Sequence, residues 1–199
     1  MFAQLINVDY FEDLLNVLQN IAKTQYDAYV TGKLNSNSAP VCALHCVIAA
    51  FELLESLKNT LSVDLRDFYC SFYTQMMRMT ARTSSAENVV VAKSNHSRNE
   101  NELMLRGIDM MMKKKIDIPN ERVAAFVKRL GILSLSSPAN AAAAYISAIH
   151  WAFVRYPRFQ CFVEEDGRIG TGCFEAFVDD PDLCNPFASS LWDLQLLSV

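Results

Sequence analysis

The sequence predicts an all-α protein in which antiparallel helix pairs stack side by side, as in α-solenoids of the HEAT and armadillo kind. Apolar residues recur at helical spacing in successive windows, and no window shows the convincing alternation of a half-buried strand. Glycine and proline number six each, which is few for a protein built from tight β-turns. With 51% hydrophobic residues, we expect one helical domain over residues 1–199.

Four helices are predicted in the first half of the chain. The first covers 9–24, where one helical face carries the apolar residues Phe11, Leu14, Leu15, Leu18 and Ile21. The second begins at Pro40 and ends near Leu57, and the third follows Asp64, which can cap it. The fourth covers 99–114. Loops are predicted at 27–40 and 83–97, because neither stretch keeps a helical period.

Two further helices begin near Pro119 and Pro138, since proline is tolerated in the first helical turn. The second of them ends at Tyr156, because Pro157 disfavours the α conformation in the residue before it. From there we expect an irregular segment, 159–186, that wraps around the domain. A short helix over 187–197 then completes the chain.

Several classes of protein are disfavoured. The longest apolar run, 141–149, is too short to cross a bilayer, and the first residues lack the basic region of a signal peptide. The net charge of −4 excludes a general polycation. The six cysteines are expected to be reduced thiols, without disulfide or bound metal.

Patterns that carry chemistry are weak. Cys42, His45 and Cys46 share one helical turn and could touch one zinc ion, but a structural zinc site needs four ligands, and the apolar flanks favour buried thiols. The glycine-rich stretch 167–172 lacks the strand and the lysine of a phosphate-binding loop, and is interpreted as a turn. We therefore predict no catalytic residue, no cofactor and no metal site. The chain is not expected to be an enzyme.

Basic residues on two successive helices give one candidate binding edge. It consists of Lys128, Arg129, Arg155 and Arg158. If the helices pack as antiparallel neighbours, these cations can share an edge that contacts the phosphates of structured RNA or a protein partner. The alternative is that they are ordinary solvated charges.

The stretch DDPDLCNPFASSLWDL, 179–194, combines turn-forming residues with a hydrophobic helix face. Its candidate residues are Asp179, Asp180, Pro181, Asn185, Leu191 and Trp192. We predict that this stretch folds back to cover the core, with Trp192 buried. A core cap that also docks a partner, and a catalytic lid, are the two alternatives.

Several motifs occur in an order that resembles the C-terminal region of the nucleolar complex protein family, whose shared domain is named after a CCAAT-binding factor. They are Ala125–Leu130, Pro138–Ala144, Tyr156–Pro157, Gly170–Gly172, Asp179–Pro181 with Asn185, and Ser189–Leu194. The earlier helices also look like those of the family. Its members are several times longer, so we expect this chain to correspond to their C-terminal part. Whether it is a fragment, a truncated product or a reduced homologue stays open.

The resemblance implies a non-catalytic scaffold in the nucleus and nucleolus that helps to assemble the large (60S) ribosomal subunit. It further implies that the partners are the second nucleolar complex protein and other pre-60S assembly factors, with pre-ribosomal RNA as a further candidate. No cofactor, small-molecule substrate or membrane is expected. A chromatin adaptor in the licensing of DNA replication is the alternative, because it would need only the same helical platform.

Overall fold

The computed structural model describes residues 8–30, 38–57, 66–83, 95–113, 118–164 and 170–197. Within these ranges the chain forms helices and irregular segments and no strand, so the all-α prediction is confirmed. The α-helices are α1 Val8–Val30, α2 Ser38–Leu57, α3 Arg66–Thr83, α4 Asn95–Lys113, α5 Asn120–Ser136, α6 Ala139–Arg155 and α7 Trp192–Leu197. Two 3-10 helices cover Pro157–Phe162 and Pro186–Ala188. No helix of the described part is long and apolar enough to cross a bilayer.

Three helix boundaries differ from the sequence prediction. α1 continues to Val30, into the predicted loop 27–40, and α4 begins at Asn95, inside the predicted loop 83–97. Residues 84–94 of that loop lie outside the described residues. The single helix predicted over 187–197 is divided, because Ser189 has an extended backbone (φ −142°, ψ 143°) that separates the 3-10 helix from α7.

Contacts divide the chain into two compact units, residues 1–72 with 94–114, and residues 73–93 with 115–199. The single-domain organisation stays a prediction. In the first unit α1 packs against α2, and α2 packs against α4. Aromatic rings fill part of this core, where Phe51 lies 5.4 Å from Tyr69 and 6.0 Å from Phe72 between ring centroids. Gly107 accommodates the Phe72 ring, since a Cβ at this position would lie 2.6 Å from it.

The buried face of α1 is narrower than the apolar face that its sequence predicts. Phe11 and Leu15 are buried as predicted, whereas Leu14 and Ile21 are 41% and 39% exposed. The apolar face that the sequence predicts for α1 is therefore buried only in part. α2 covers only one side of α1, so the outer part of its apolar stripe stays in contact with water.

The second unit is arranged around α5. Residues 123–131 of this helix are all buried, so the helix is enclosed on every side rather than along one stripe. α6 packs on it, and so do α7 and the 3-10 helix Pro186–Ala188. Pro119 and Pro138 precede α5 and α6, and their carbonyls accept the first helical hydrogen bonds, as their positions in the sequence predict. The chain that follows α6 therefore returns to pack against α5, the central helix of this unit.

Candidate functional site

The best-defined polar site of the second unit lies where α5 meets the C-terminal segment, defined as residues 170–197. Arg122, Lys128 and Arg129 project from α5, and each contacts a different part of that segment. The C-terminal segment, which includes α7, packs around α5. Cations on different sides of α5 can therefore all contact this segment. The three contacts run from the partly exposed end of α5 to its buried centre.

Arg129 is the central contact and is only 2% exposed. Its guanidinium donates hydrogen bonds to the carbonyls of Val178 at 2.6 Å, Ala176 at 3.2 Å and Tyr73. The guanidinium carbon lies 3.3 Å from the centre of the Tyr73 ring, a cation–π contact. Burial lowers the pKa of Arg129. The side chain therefore joins α3, α5 and the C-terminal segment through backbone oxygens.

Lys128 is buried beside it and contacts the start of α7. Its ammonium group donates to the carbonyl of Ser190 and to Ser189 Oγ at 3.3 Å, and lies 3.9 Å from Asp193 Oδ2. Asp193 is fully buried, and neither carboxylate oxygen accepts a hydrogen bond. Burial raises the pKa of Asp193, and the Lys128 charge offsets part of that rise. Burial lowers the pKa of Lys128, against the attraction of Asp193.

Arg122 forms the outer contact. Its Nε and Nη2 donate to the two carboxylate oxygens of Asp182 at 2.8 and 2.6 Å. This two-point geometry is the favoured one for arginine and a carboxylate. The backbone nitrogen of Asp182 donates to Asp180 Oδ1 at 3.0 Å, which closes the turn that presents Asp182. Asp180 thus acts as a turn former, as its residue type suggests.

A second turn closes the C-terminal segment on itself. Asn185 has a left-handed backbone (φ 50°), and its Nδ2 donates to the carbonyl of Thr171 at 2.9 Å. Gly172 has φ +97°, and an added Cβ at Gly170 would lie 3.1 Å from the Ala188 nitrogen. The two glycines of the Gly-Thr-Gly turn are therefore required by backbone conformation and by close approach.

Aromatic stacking completes the contact between this segment and the 3-10 helix Pro157–Phe162 that follows α6. Phe162 and Phe187 stack with centroids 5.2 Å apart and ring planes 8° from parallel, and Leu191 donates its backbone N–H to Phe162 O at 3.0 Å. Leu191 is 4% exposed, whereas Trp192 is 49% exposed. Trp192 lines a cleft of about 400 Å³ together with Phe162 and Leu191.

The predicted basic edge is corrected by this geometry. Lys128 and Arg129 are buried and bonded to backbone oxygens, because α5 is the central helix of the unit, so they cannot line a solvent-facing edge. Arg155 and Arg158 are exposed as expected. Arg158 lies 3.6 Å from Glu121 Oε1, in an exposed ion pair. The four cations do not form one surface.

The predicted residues of the 179–194 stretch have separate structural roles. Asp180 and Asn185 bond within turns, Asp179 accepts from Thr74 Oγ1 at 3.4 Å, Pro181 is buried, and Leu191 covers the core. The prediction that Trp192 is buried was wrong, because it lies at the rim of the cleft.

Sequence reasoning gave no role in this site to four residues that the structure places there: Tyr73, Arg122, Asp182 and Asp193. One available signal was the Lys-Arg pair in the middle of an otherwise apolar helical stretch, 123–133. Charged residues at core positions indicate that partners must be supplied from elsewhere in the fold.

In the cysteine-rich turn of α2, the side chains of Cys42 and Cys46 interact with each other. His45 is exposed while Cys46 is 8% exposed, and burial raises the pKa of the Cys46 thiol to about 11. In the described part of the chain, no three His, Cys, Asp or Glu residues are placed to hold a metal ion. Burial, helped by the neighbouring Cys42, thus keeps the Cys46 thiol protonated near neutral pH.

Comparison with known proteins relates this arrangement to one family. The model of the CBF/Mak21 family matches residues 43–199, a range that includes α5, α6 and the whole C-terminal segment.

Named relatives extend the similarity over nearly the whole chain. The human "Nucleolar complex protein 3 homolog" is 28% identical over 197 residues, covering 98% of this chain and 22% of the relative. The Drosophila melanogaster "Nucleolar complex protein 3" is 29% identical over 99% of this chain and 21% of the relative. The Saccharomyces cerevisiae "Nucleolar complex-associated protein 3" is 28% identical over 98% of this chain and 31% of the relative. The motifs of the C-terminal half favour this same third branch of the nucleolar complex proteins. The chain thus spans about a fifth of the first two proteins and under a third of the yeast one.

Proposed function

Since this chain belongs to the CBF/Mak21 family, we propose that it is a non-catalytic helical scaffold of ribosome biogenesis in the nucleolus. The family match over residues 43–199 is the observation that carries the proposal. The relatives are named as members of nucleolar complexes. This chain would take part in such complexes through its helical surface.

More specifically, we propose that the particle is the precursor of the large (60S) subunit. The partners would be the second nucleolar complex protein and other pre-60S assembly factors. We place protein partners before pre-ribosomal RNA, because Lys128 and Arg129 are bonded inside the protein and are not free to contact phosphates. Phosphate binding depends on several accessible cations acting together.

The polar site of α5 supports a scaffold role. Each buried cation there is bonded to the chain's own backbone, in an arrangement that fixes a surface rather than exposing a reactive group. A rigid helical platform presents side chains for binding at little entropic cost, which is what a scaffold requires.

The proposal is tested by tagging the chain in cells and purifying its complexes under mild salt. We expect the second nucleolar complex protein and pre-60S factors to co-purify and to co-sediment with large-subunit precursors. Nuclease treatment of half the sample separates protein-mediated from RNA-mediated association. Recovery of origin-recognition or helicase-loading proteins instead, without ribosomal precursors, would reject the proposal and favour a chromatin adaptor.

A further inference from the structure

Phe177 is the most exposed large apolar side chain in the described part of the molecule, with 83% of its surface in water. It lies in a turn, because the N–H of Val178 donates to the carbonyl of Glu175 at 3.4 Å. Turns favour glycine, proline, asparagine, aspartate and serine, which supply a backbone angle or a local hydrogen bond. Phenylalanine supplies neither, and its exposure forgoes the stabilisation of burial. The fold therefore gives no reason for an aromatic ring at this position.

The buried Arg129 fixes the backbone on both sides of this ring. One of its nitrogens, Nη2, donates to the carbonyl of Ala176 at 3.2 Å and to that of Val178 at 2.6 Å. Because Arg129 is only 2% exposed, both carbonyls that flank residue 177 are held towards the protein interior. The ring is thus presented on an ordered backbone, and a partner that bound it would have little chain to immobilise.

A second large apolar side chain is exposed on the same loop, which we call the Phe177 loop and define as residues 175–184. Leu183 is 64% exposed, and its N–H donates to the carbonyl of Asp180 at 3.2 Å in a further turn. The N–H of Glu175 donates to the carbonyl of Cys184 at 2.9 Å and joins the two ends of the loop. Single exposed apolar residues are common on protein surfaces, whereas two on one fixed loop are typical of an interaction site.

The Phe177 loop is acidic even after its contacts with cations are counted. Its ten residues include four acids and no lysine, arginine or histidine. Two cations of α5, Arg122 and Arg129, contact the loop, so four negative charges meet two positive ones and a charge of −2 remains. The Glu175 side chain is exposed and has no ion pair or hydrogen bond within the described part of the chain. The four acids are Glu175, Asp179, Asp180 and Asp182.

We propose that the Phe177 loop docks into an apolar pocket of a partner protein, and that lysine or arginine side chains border this pocket. The Phe177 ring fills the pocket as the central anchor of the interface. The Glu175 carboxylate pairs with a cation at the border of the pocket. The inference rests on the proposed scaffold function and names the chemistry of one partner surface.

Other occupants fit this loop less well. The phosphates of RNA and anionic lipid headgroups have the same sign of charge as the loop and would be repelled. A second copy of this chain that bound through the same loop would bring an equal negative charge against the first. A basic pocket on a different protein meets both the charge and the apolar side chains.

A photo-reactive phenylalanine analogue placed at position 177 tests the contact directly. The tagged full chain carrying it is expressed in cells, irradiated and purified under denaturing conditions, and the attachment point is mapped by mass spectrometry. We expect attachment to one protein, at a site where apolar residues adjoin lysines or arginines. The same analogue at position 151 is the control, because Trp151 is 68% exposed but lies on α6, and it should not attach at that site.

Substitutions then measure the contribution of each group. Phe177→Ser should reduce recovery of the attached protein in a native purification by about tenfold or more, since a central aromatic dominates an interface. Glu175→Lys should reduce it further than Glu175→Gln, because lysine reverses the charge that glutamine only removes. Trp151→Ser is the matched control and should leave recovery unchanged. Unchanged melting temperatures of the purified variants exclude unfolding as the cause.

Attachment to RNA, to lipid or to a second copy of this chain, or no attachment at all, would overturn the inference. So would a partner site bordered by acids, or equal recovery with Phe177→Ser. Ribosomal precursors are measured separately, in the purification of the wild-type chain. Their absence would reject the proposed function, whereas their presence without attachment at position 177 would reject this inference alone.

Discussion

Arg129 and Lys128 are consecutive charged residues that the fold removes from water. Taking such ions into the interior costs several kcal/mol each unless their donors find acceptors. The two terminal nitrogens of Arg129 donate to three carbonyls, although its buried Nε has no partner. Lys128 donates to a carbonyl and a hydroxyl and forms an ion pair with Asp193. Arg129 and Lys128 are therefore structural cations.

Replacing Arg129 by leucine should therefore destabilise the protein strongly. The change removes the donor of the part-buried carbonyl oxygens of Ala176 and Val178, and each group left unsatisfied costs about 1–3 kcal/mol. We expect the free energy of unfolding to fall by about 3 kcal/mol in denaturant titration. Arg155→Leu is the matched control, since Arg155 is exposed and should change stability by no more than about 0.5 kcal/mol. Equal effects of the two substitutions would contradict this assignment.

Leu191 and Trp192 are neighbours in sequence with opposite environments. Leu191→Ala should cost about 2–5 kcal/mol, because it empties a buried site. Trp192→Ala should cost only about 1.5–2.5 kcal/mol, since a fully buried aromatic costs about 3–5 kcal/mol and half of this one is already in water. Thermal unfolding of the two variants measures the order, and a larger loss for Trp192→Ala would show that its indole ring is covered in solution.

The contact between Lys128 of α5 and Asp193 of α7 should make the stability of the folded protein depend on pH, and the direction of that dependence can be worked out. The folded state raises the pKa of Asp193, so the folded protein holds this proton more tightly than the unfolded chain does. The stabilisation that comes from this tighter proton binding is fully present at pH values below the pKa of Asp in the unfolded chain, about 3.9. It is lost as the pH rises through the raised pKa of the folded state. We expect wild type to gain stability relative to Asp193→Asn as pH falls from neutral towards 4. A difference between them that is constant with pH would contradict this.

The turn at Gly172, which lies where Asn185 bonds back to the start of the C-terminal segment, should be sensitive to substitution. Gly172 has φ +97°, a conformation that residues with a Cβ adopt at a cost of about 1–3 kcal/mol. Gly172→Ala should lower the free energy of unfolding by that amount. Thr171→Ala is a suitable control, because Asn185 bonds the Thr171 carbonyl, which the substitution keeps. A neutral Gly172→Ala would mean that the turn relaxes freely.

Helical periodicity was sufficient to predict that α1 to α6 are helices, because apolar residues recur at helical spacing in each of them. It failed where a partner element decided the outcome. Leu14 and Ile21 are apolar at helical spacing, yet no described element covers them, and Lys128 and Arg129 are charged, yet the core encloses them. Their hydrogen-bond partners are backbone carbonyls 47 to 62 residues away along the chain. Every residue has a backbone carbonyl, so no sequence pattern can predict which carbonyl will accept such a hydrogen bond.

For the second unit as a whole, the C-terminal segment is part of the core. Removing residues 170–199 takes away the acceptors of Lys128 and two of the three acceptors of Arg129, and it uncovers the Phe162 ring. We expect the truncated chain to keep much of its far-ultraviolet dichroism and to lose fixed aromatic packing in the near-ultraviolet. Hydrogen exchange of α5 should accelerate as well. Retention of native near-ultraviolet signals would show that α5 and α6 pack without the segment.

The spacing of the Arg129 contacts also sets an order of events during protein synthesis. One acceptor, Tyr73, is made 56 residues before the arginine, and the last, Val178, is made 49 residues after it. At about 5–20 residues per second, the guanidinium waits roughly 2–10 s for its remaining acceptors. During that interval the apolar surface around α5 is open to chaperones and to neighbouring nascent chains. A pause in translation between these positions would lengthen that exposure.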